Sequence, residues 1–440
     1  MNGGKRMYKL VSKLIVYRNI GRDSLLFRLA DLFHEFDTGE YVAEDLSGRI
    51  LDLVHELLDL ATVYGFDENL WHNYLAYLLA MTENPFTLVS EKTGAVDGSV
   101  NQFVQNDFSV FYQLMKFDFA PMEKALGLSC FSTIQNYRSV RKKDHSYNRN
   151  VSVRIQELSR SIVCAKDEAS FYHAVIDFYE RYGVGQFGMN KAFRISPYQN
   201  EGLLAPIVST SNVTLDDLFG YDQQKEELKK NTEAFLTGQP ANNVLLFGDA
   251  GTGKSTSIKA LLNMYYPQGL RMIEIYKHEF QYLPEIISII KSRNYKFIIY
   301  MDDLSFESAE TEYKYLKAVI EGDLEVRPDN VLIYATSNRR HLIRETFSDR
   351  KEIDEDDIHR TDTMAERLSL SHRFGVTIGY YKPGRQEFFH IVCELAKKNE
   401  KILLSKEELL HKADLWQMRH GTMSGRLAQQ FIDYLSAEIS

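Results

Sequence analysis

Long apolar runs are missing from this chain. The longest candidate, near Tyr74 in YLAYLLAM, stops well short of the roughly 18 residues that a membrane-spanning helix needs. Behind Met1, the apolar residues 14–17 are too few for the core of a secretion signal, and no small-residue cleavage site follows. The chain is therefore expected to be cytoplasmic and not an integral membrane protein. Cysteine is scarce too. Cys130, Cys164 and Cys393 are odd in number, far apart and without a CxxC pair, which argues against a disulfide framework or a cysteine zinc site. All three are expected to be buried thiols. Twelve histidines form no HExxH, so no zinc chemistry is expected. Only 9 prolines and 25 glycines exclude a collagen-like or low-complexity chain. Basic charge is not in excess either: 52 Lys and Arg stand against 61 Asp and Glu, a net charge of −9. That argues against a surface coated in positive charge.

What is present is an ordinary globular composition of 440 residues, 44% hydrophobic and 26% charged, enough for two or three domains. From about Arg22 to Phe119 the periodicity is helical. In SGRILDLVHELLDLATVYG, Leu51, Val54, Leu58 and Ala61 recur at three and four, and Ser47 is placed to cap. Residues 1–196 are expected to be a mainly helical N-terminal domain. Within it, Arg138, Arg141, Lys142, Lys143, Arg149, Arg154 and Arg160 face only Asp144 and Glu157. This basic segment reads as a solvated loop between helices; with Tyr137, His145 and Tyr147 interleaved, its alternative is a grip on nucleic acid. Gly183, Gly185 and Gly188 spell GxGxxG but follow a helical pattern rather than a strand. Gly183 therefore reads as a helix C-cap and not as part of a dinucleotide site. Residues 197–214, with Pro197, Pro206 and a Ser/Thr run, read as a linker.

The second half carries chemistry. The apolar run Val244 to Phe247 is followed at once by GDAGTGKST, a GxxxxGK[ST] loop set between a buried strand and a helix. Gly248, Asp249, Ala250, Gly251, Thr252, Gly253 and Thr256 would wrap polyphosphate with backbone amides at a helix N-terminus. Lys254 would reach the β and γ phosphates, and Ser255 would ligate Mg2+. Further strands are expected at residues 270–275, in KFIIYM, at residues 331–336 and at residues 376–380. Asp302, at the carboxyl end of the KFIIYM strand, is placed to organise Mg2+. Asp303 is placed to orient the attacking water as general base, and its bland reading is a helix cap. Asn338 could hold that water beside Asp303. Arg373 precedes the last strand, at an expected sheet edge, where it can reach a neighbour.

This order of phosphate loop, DD strand, TSN strand, RFG arginine and helical tail resembles an AAA+ ATPase. More closely, DDLSFE, IYATSNRRHL and LSLSHRFG resemble a bacterial AAA+ family known only as a domain of unknown function. The resemblance implies an α/β P-loop core over residues 215–381, a five-stranded parallel sheet sandwiched by helices, with a helical lid over residues 382–440. It implies that Phe219, Gly220 and Tyr221 lie beside adenine and that Asn338 is sensor 1. It also implies that Arg373 is an arginine finger acting on the adjoining subunit, with Arg367 as a second candidate, and that Arg426 is sensor 2. One departure from the AAA+ pattern is that the usual Asp-Glu pair is Asp302-Asp303 here, one methylene shorter, so that Glu307 or a bound partner would have to complete the site if Asp303 falls short. The acidic insert between Glu345 and Glu366 reads as a solvated loop. The expected activity is Mg2+-dependent ATP hydrolysis by a homo-oligomer that remodels or loads a protein or nucleic-acid partner held by the N-terminal domain. Its rivals are an ATP-gated switch with little turnover and a DNA-associated helper ATPase.

Overall fold

A computed structural model describes residues 6–91, 93–94, 98–139, 148–197, 202–307, 310–321, 328–340, 342, 370–399 and 401–439. The middle of the basic segment, the acidic insert and Arg367 lie outside the described residues. The chain divides into two compact units, one formed by residues 1–190 with 206–209, the other by residues 191–205 with 210–440.

The first unit is helical among its described residues. Its centre is the helix Leu70–Met81, apolar on nearly every side, with Leu70, Trp71, Leu75, Ala76, Leu79 and Ala80 all buried. A helix hydrophobic all round must be surrounded by others, and Leu25–Thr38, Ala43–Tyr64, Ser99–Met115, Arg149–Val163 and Glu168–Tyr182 share its core. Polar caps fix where these helices start: the Asn69 side chain accepts from the His72 N–H, and Asp167 and Ser170 form a reciprocal capping box. Trp71 donates its indole N–H to the Leu114 carbonyl at 2.9 Å. Gly183, with φ of 82°, does cap Glu168–Tyr182.

Two details differ from expectation. Ala43–Tyr64 buries Leu46, Ile50, Leu53, Leu57 and Ala61, whereas Leu51 is exposed and Ser47 lies inside the helix. The segment carries apolar residues on two adjoining stripes; packing uses the one that begins at Leu46 and leaves Val54 and Leu58 half-buried at its margin. The cysteines are not buried: Cys164, which follows the last turn of Arg149–Val163, is exposed, and Cys130 and Cys393 are intermediate.

The second unit is an α/β sheet with the strands β1 (Ala192–Ile195), β2 (Leu204–Pro206), β3 (Val244–Gly248), β4 (Leu270–Glu274), β5 (Lys296–Met301), β6 (Val331–Ser337) and β7 (Val376–Tyr380). Their order is β2-β1-β4-β5-β6-β3-β7. The pairs β1–β4, β4–β5, β5–β6, β6–β3 and β3–β7 are parallel. The five expected core strands are present and β7 is at the edge. The sheet is larger than expected by β1 and β2, which arise from residues read as helical domain and linker. They are short, and β1 is interrupted by the exposed Arg194, so neither shows the apolar run of a central strand. All seven residues of β6 are buried, as parallel strands covered on both faces require. Three helices, Arg385–Lys397, Lys406–His420 and Gly425–Ile439, form the lid around Phe388, Val392, Leu409, Ala413, Phe431 and Ile432. Trp416 belongs to this cluster and stacks on His420.

Candidate functional site

The carboxyl ends of β3, β5 and β6 open into a cleft of about 610 Å3 closed on one side by the lid, within the usual size of small-molecule sites. Its floor is the loop between β3 and the helix Lys254–Tyr265. Gly248 has φ of 129°, and a Cβ there would lie 2.0 Å from the Tyr380 carbonyl oxygen, so only glycine lets β3 turn into the loop beside β7. Gly251, also at positive φ, would press a Cβ against Ser424 and Arg426 of the lid at 3.1 and 3.2 Å. The Arg426 N–H donates to the Gly251 carbonyl at 3.1 Å, so the lid rests directly on the loop. Thr252 closes the turn by donating its hydroxyl to the Asp249 carbonyl at 2.8 Å.

Lys254 is 7% exposed, and its ammonium is held by the carbonyls of Gly248 and Asp249 at 2.9 and 2.7 Å and by Asn338 Oδ1 at 3.1 Å. Desolvation pulls its pKa below the ordinary lysine value, opposed by Asp249, Asp303 and Asp302. Ser255 donates its hydroxyl to Asp302 Oδ1 at 2.6 Å. Thr336 donates to the same oxygen at 2.6 Å. Partial enclosure pushes the Asp302 pKa up, but the hydroxyl donors of Ser255 and Thr336, with the Lys259 charge, outweigh it and leave the carboxyl below its usual range. Asp303 has φ of 49°, and its Oδ1 accepts from Asn338 Nδ2 at 2.8 Å. A single amide thus bridges the Lys254 ammonium and the Asp303 carboxylate.

The structure brings Phe219, Tyr221, Ala250 to Thr256, Asp302, Asp303, Asn338 and Arg426 around this one cleft. Gly220, Gly248 and Asp249 are not part of its lining; the Asp249 side chain instead accepts the Lys382 N–H at 2.9 Å. Tyr221 stacks on Tyr380 and donates its hydroxyl to the Tyr381 carbonyl at 2.7 Å. The Phe219 ring lies 4.9 Å from the Lys398 ammonium, which also bonds Asp217 Oδ1 at 2.7 Å and the Asp216 carbonyl at 2.8 Å. Arg373 does not line the cleft; it is partly buried just before edge strand β7. Glu307 lies outside the lining as well, with its N–H on Glu310.

Sequence reading missed Thr336 and the wall formed by Val213, Leu218, Ile391, Leu395 and Gln430. Thr336 carried a signal, a hydroxyl at the carboxyl end of a buried strand two residues before Asn338. The lid residues carried none, since they belong to ordinary amphipathic helices.

Polyphosphate and a hard cation fit what is here. The glycines leave backbone where side chains would intrude, the helix Lys254–Tyr265 starts at the loop with its positive dipole end, and Ser255 and Asp302 supply the oxygen donors magnesium prefers. Among the described residues no cluster of three or more His, Cys, Asp or Glu is placed to hold a metal by itself, and no helix is long and apolar enough to cross a membrane.

Residues 188–439 match a family described as "Protein of unknown function (DUF815)". No curated protein matches the chain. Among solved structures, a point variant of RuvB from Thermotoga maritima is similar over 50% of this chain and 72% of its own, at 13% identity and a TM-score of 0.32. A likeness of that size carries no function across.

Proposed function

The chain belongs to the DUF815 family, and we propose from its site that it is an AAA+ ATPase that binds Mg-ATP in this cleft and hydrolyses it with help from a second copy of itself. The observation that carries the reading is the convergence of loop, Lys254, Ser255, Asp302, Asp303 and Asn338 on one cleft. In this reading the loop amides and Lys254 hold the phosphates, and Arg426 brings the lid onto them. Ser255 and Asp302 hold magnesium, which when bound neutralises charge on the transferring phosphoryl group. Asp303 takes the proton of the attacking water and Asn338 fixes the orientation of that carboxylate. Phe219 and Tyr221 border the base side of the cleft.

Arg373, outside its own cleft, is the finger offered to a neighbouring subunit, a contribution worth about 10³ to 10⁵ in rate where such residues act. The homo-oligomer would use the helical unit to hold a protein or nucleic-acid partner. Turnover per subunit with magnesium should therefore climb with protein concentration, against Lys254→Ala as the blank. Equal rates in the two proteins would remove the cleft as the site. Arg373→Ala should bind ATP and fail to hydrolyse it, and mixing it with Asp303→Asn should restore activity. No recovery in a mixture that assembles would remove the finger.

A second reading, an ATP-gated switch with little turnover, is favoured by the bond between Asn338 Nδ2 and Asp303. That amide occupies an oxygen of the carboxylate meant to receive a proton. Tight ATP binding with flat, negligible turnover at all concentrations would select it.

A further inference from the structure

Two adjacent carboxylates with different duties must leave one turn in different directions, and the turn after β5 does not do this unaided. Asp303 is held at φ of 49°, a conformation that residues with a Cβ seldom keep unless their surroundings impose it. What imposes it is one residue of the neighbouring strand. Thr336, on β6, is 1% exposed. Its hydroxyl donates to Asp302 Oδ1 at 2.6 Å and accepts the Asp303 N–H at 2.9 Å. Its carbonyl accepts the Leu304 N–H at 2.7 Å. Both the proton and a lone pair of the hydroxyl are therefore used, and three successive residues are tied to one. Asn338, two residues further along the same chain segment, then holds the Asp303 carboxylate.

Resting on the hydrolysis reading above, we propose that Thr336 is the positioning residue that sets the Asp302 and Asp303 carboxylates relative to each other and to Ser255. Valine has the shape of threonine without donor or acceptor, so it removes both bonds and little volume. Serine keeps the hydroxyl and loses only the methyl.

The test compares full-length wild type, Thr336→Val, Thr336→Ser and Lys254→Ala by ATP binding in EDTA, ATP binding in magnesium, and separate kcat and KM values. Thr336→Val should bind ATP in EDTA within about twofold of wild type, lose most of the gain that magnesium gives, and drop kcat by about 10- to 100-fold, with KM rising in step with the weaker binding in magnesium. Thr336→Ser should keep kcat within about threefold, because the hydrogen bonds survive. Wild-type magnesium dependence and kcat in Thr336→Val would overturn the proposal. So would a loss of kcat of about 10-fold or more in a folded Thr336→Ser, which would assign the effect to methyl packing, and this arm decides even if the valine variant does not fold. Wild-type protein that neither binds nor hydrolyses ATP better than Lys254→Ala would instead overturn the nucleotide reading, and the positioning role with it.

Discussion

Asp107 in the helical unit and Asp302 in the sheet unit are both carboxylates that accept several hydrogen bonds, and they are arranged for different ends. Asp107 is fully buried, and its oxygens accept the backbone N–H groups of Ile15, Val16 and Tyr17 at 2.7 to 3.1 Å. Those amides belong to the start of a short 3-10 helix, Val16–Ile20, whose first donors have no partner within the helix. The carboxylate acts as a remote cap and has no free direction left. Asp302 accepts from two side-chain hydroxyls and still lines a cleft. Backbone donors spend a carboxylate on architecture; side-chain donors at a strand end can aim one. Tyr17 shows the same division, its hydroxyl paired with Tyr179 in the core and its pKa raised by burial, with no opening onto a site.

The comparison breaks most visibly if the two aspartates are exchanged for asparagine. Asp302→Asn should leave the melting temperature nearly unchanged while lowering ATP turnover by about a hundredfold or more, since a metal-holding carboxylate is worth several kcal/mol of transition-state stabilisation. A large loss of stability with turnover per folded molecule intact would reverse the assignment. Asp107→Asn should do the opposite, costing roughly 3 kcal/mol in urea unfolding because buried amides lose a charged acceptor. Its ATPase per folded molecule should match wild type.

The smallest effect belongs to the ion pair of Lys398 with Asp217. The hydrogen bond from Lys398, followed by those from Thr214, lowers the Asp217 pKa to about 2. A folded-state value below the unfolded one means that the stabilisation is present above the unfolded value and fades as pH falls through about 2. Both groups are exposed by nearly half, so Lys398→Ala should cost under about 1 kcal/mol at pH 7. The gap in melting temperature between variant and wild type should narrow on acidification; a gap that widens would assign Lys398 a different partner.

These two aspartates also mark how far the amino-acid pattern could be read. Asp302 was legible because a buried parallel strand is a continuous apolar run, and a carboxylate at its end stands out; the same logic located β3 to β7 and the glycine loop. Asp107 was not legible, since its backbone donors are 90 to 92 residues away in sequence and leave no local pattern. Strands β1 and β2 were missed because their four and three residues are too few to show a period. The lid wall was missed because Ile391 and Leu395 look like any core-facing residues of an amphipathic helix. The place of Arg373 before an edge strand was legible from the residues, whereas its role as a finger came from resemblance alone.

The chain has two tryptophans, one in each unit. Trp71 is 1% exposed, with its indole N–H on a carbonyl, and Trp416 stacks on His420 in the lid. The protein therefore carries its own pair of optical probes: Trp71→Phe leaves emission that reports the lid, and Trp416→Phe leaves emission that reports the helical core. Nucleotide titrations of these two proteins separate a signal that begins at the cleft from one that reaches the other unit, with no dye attached.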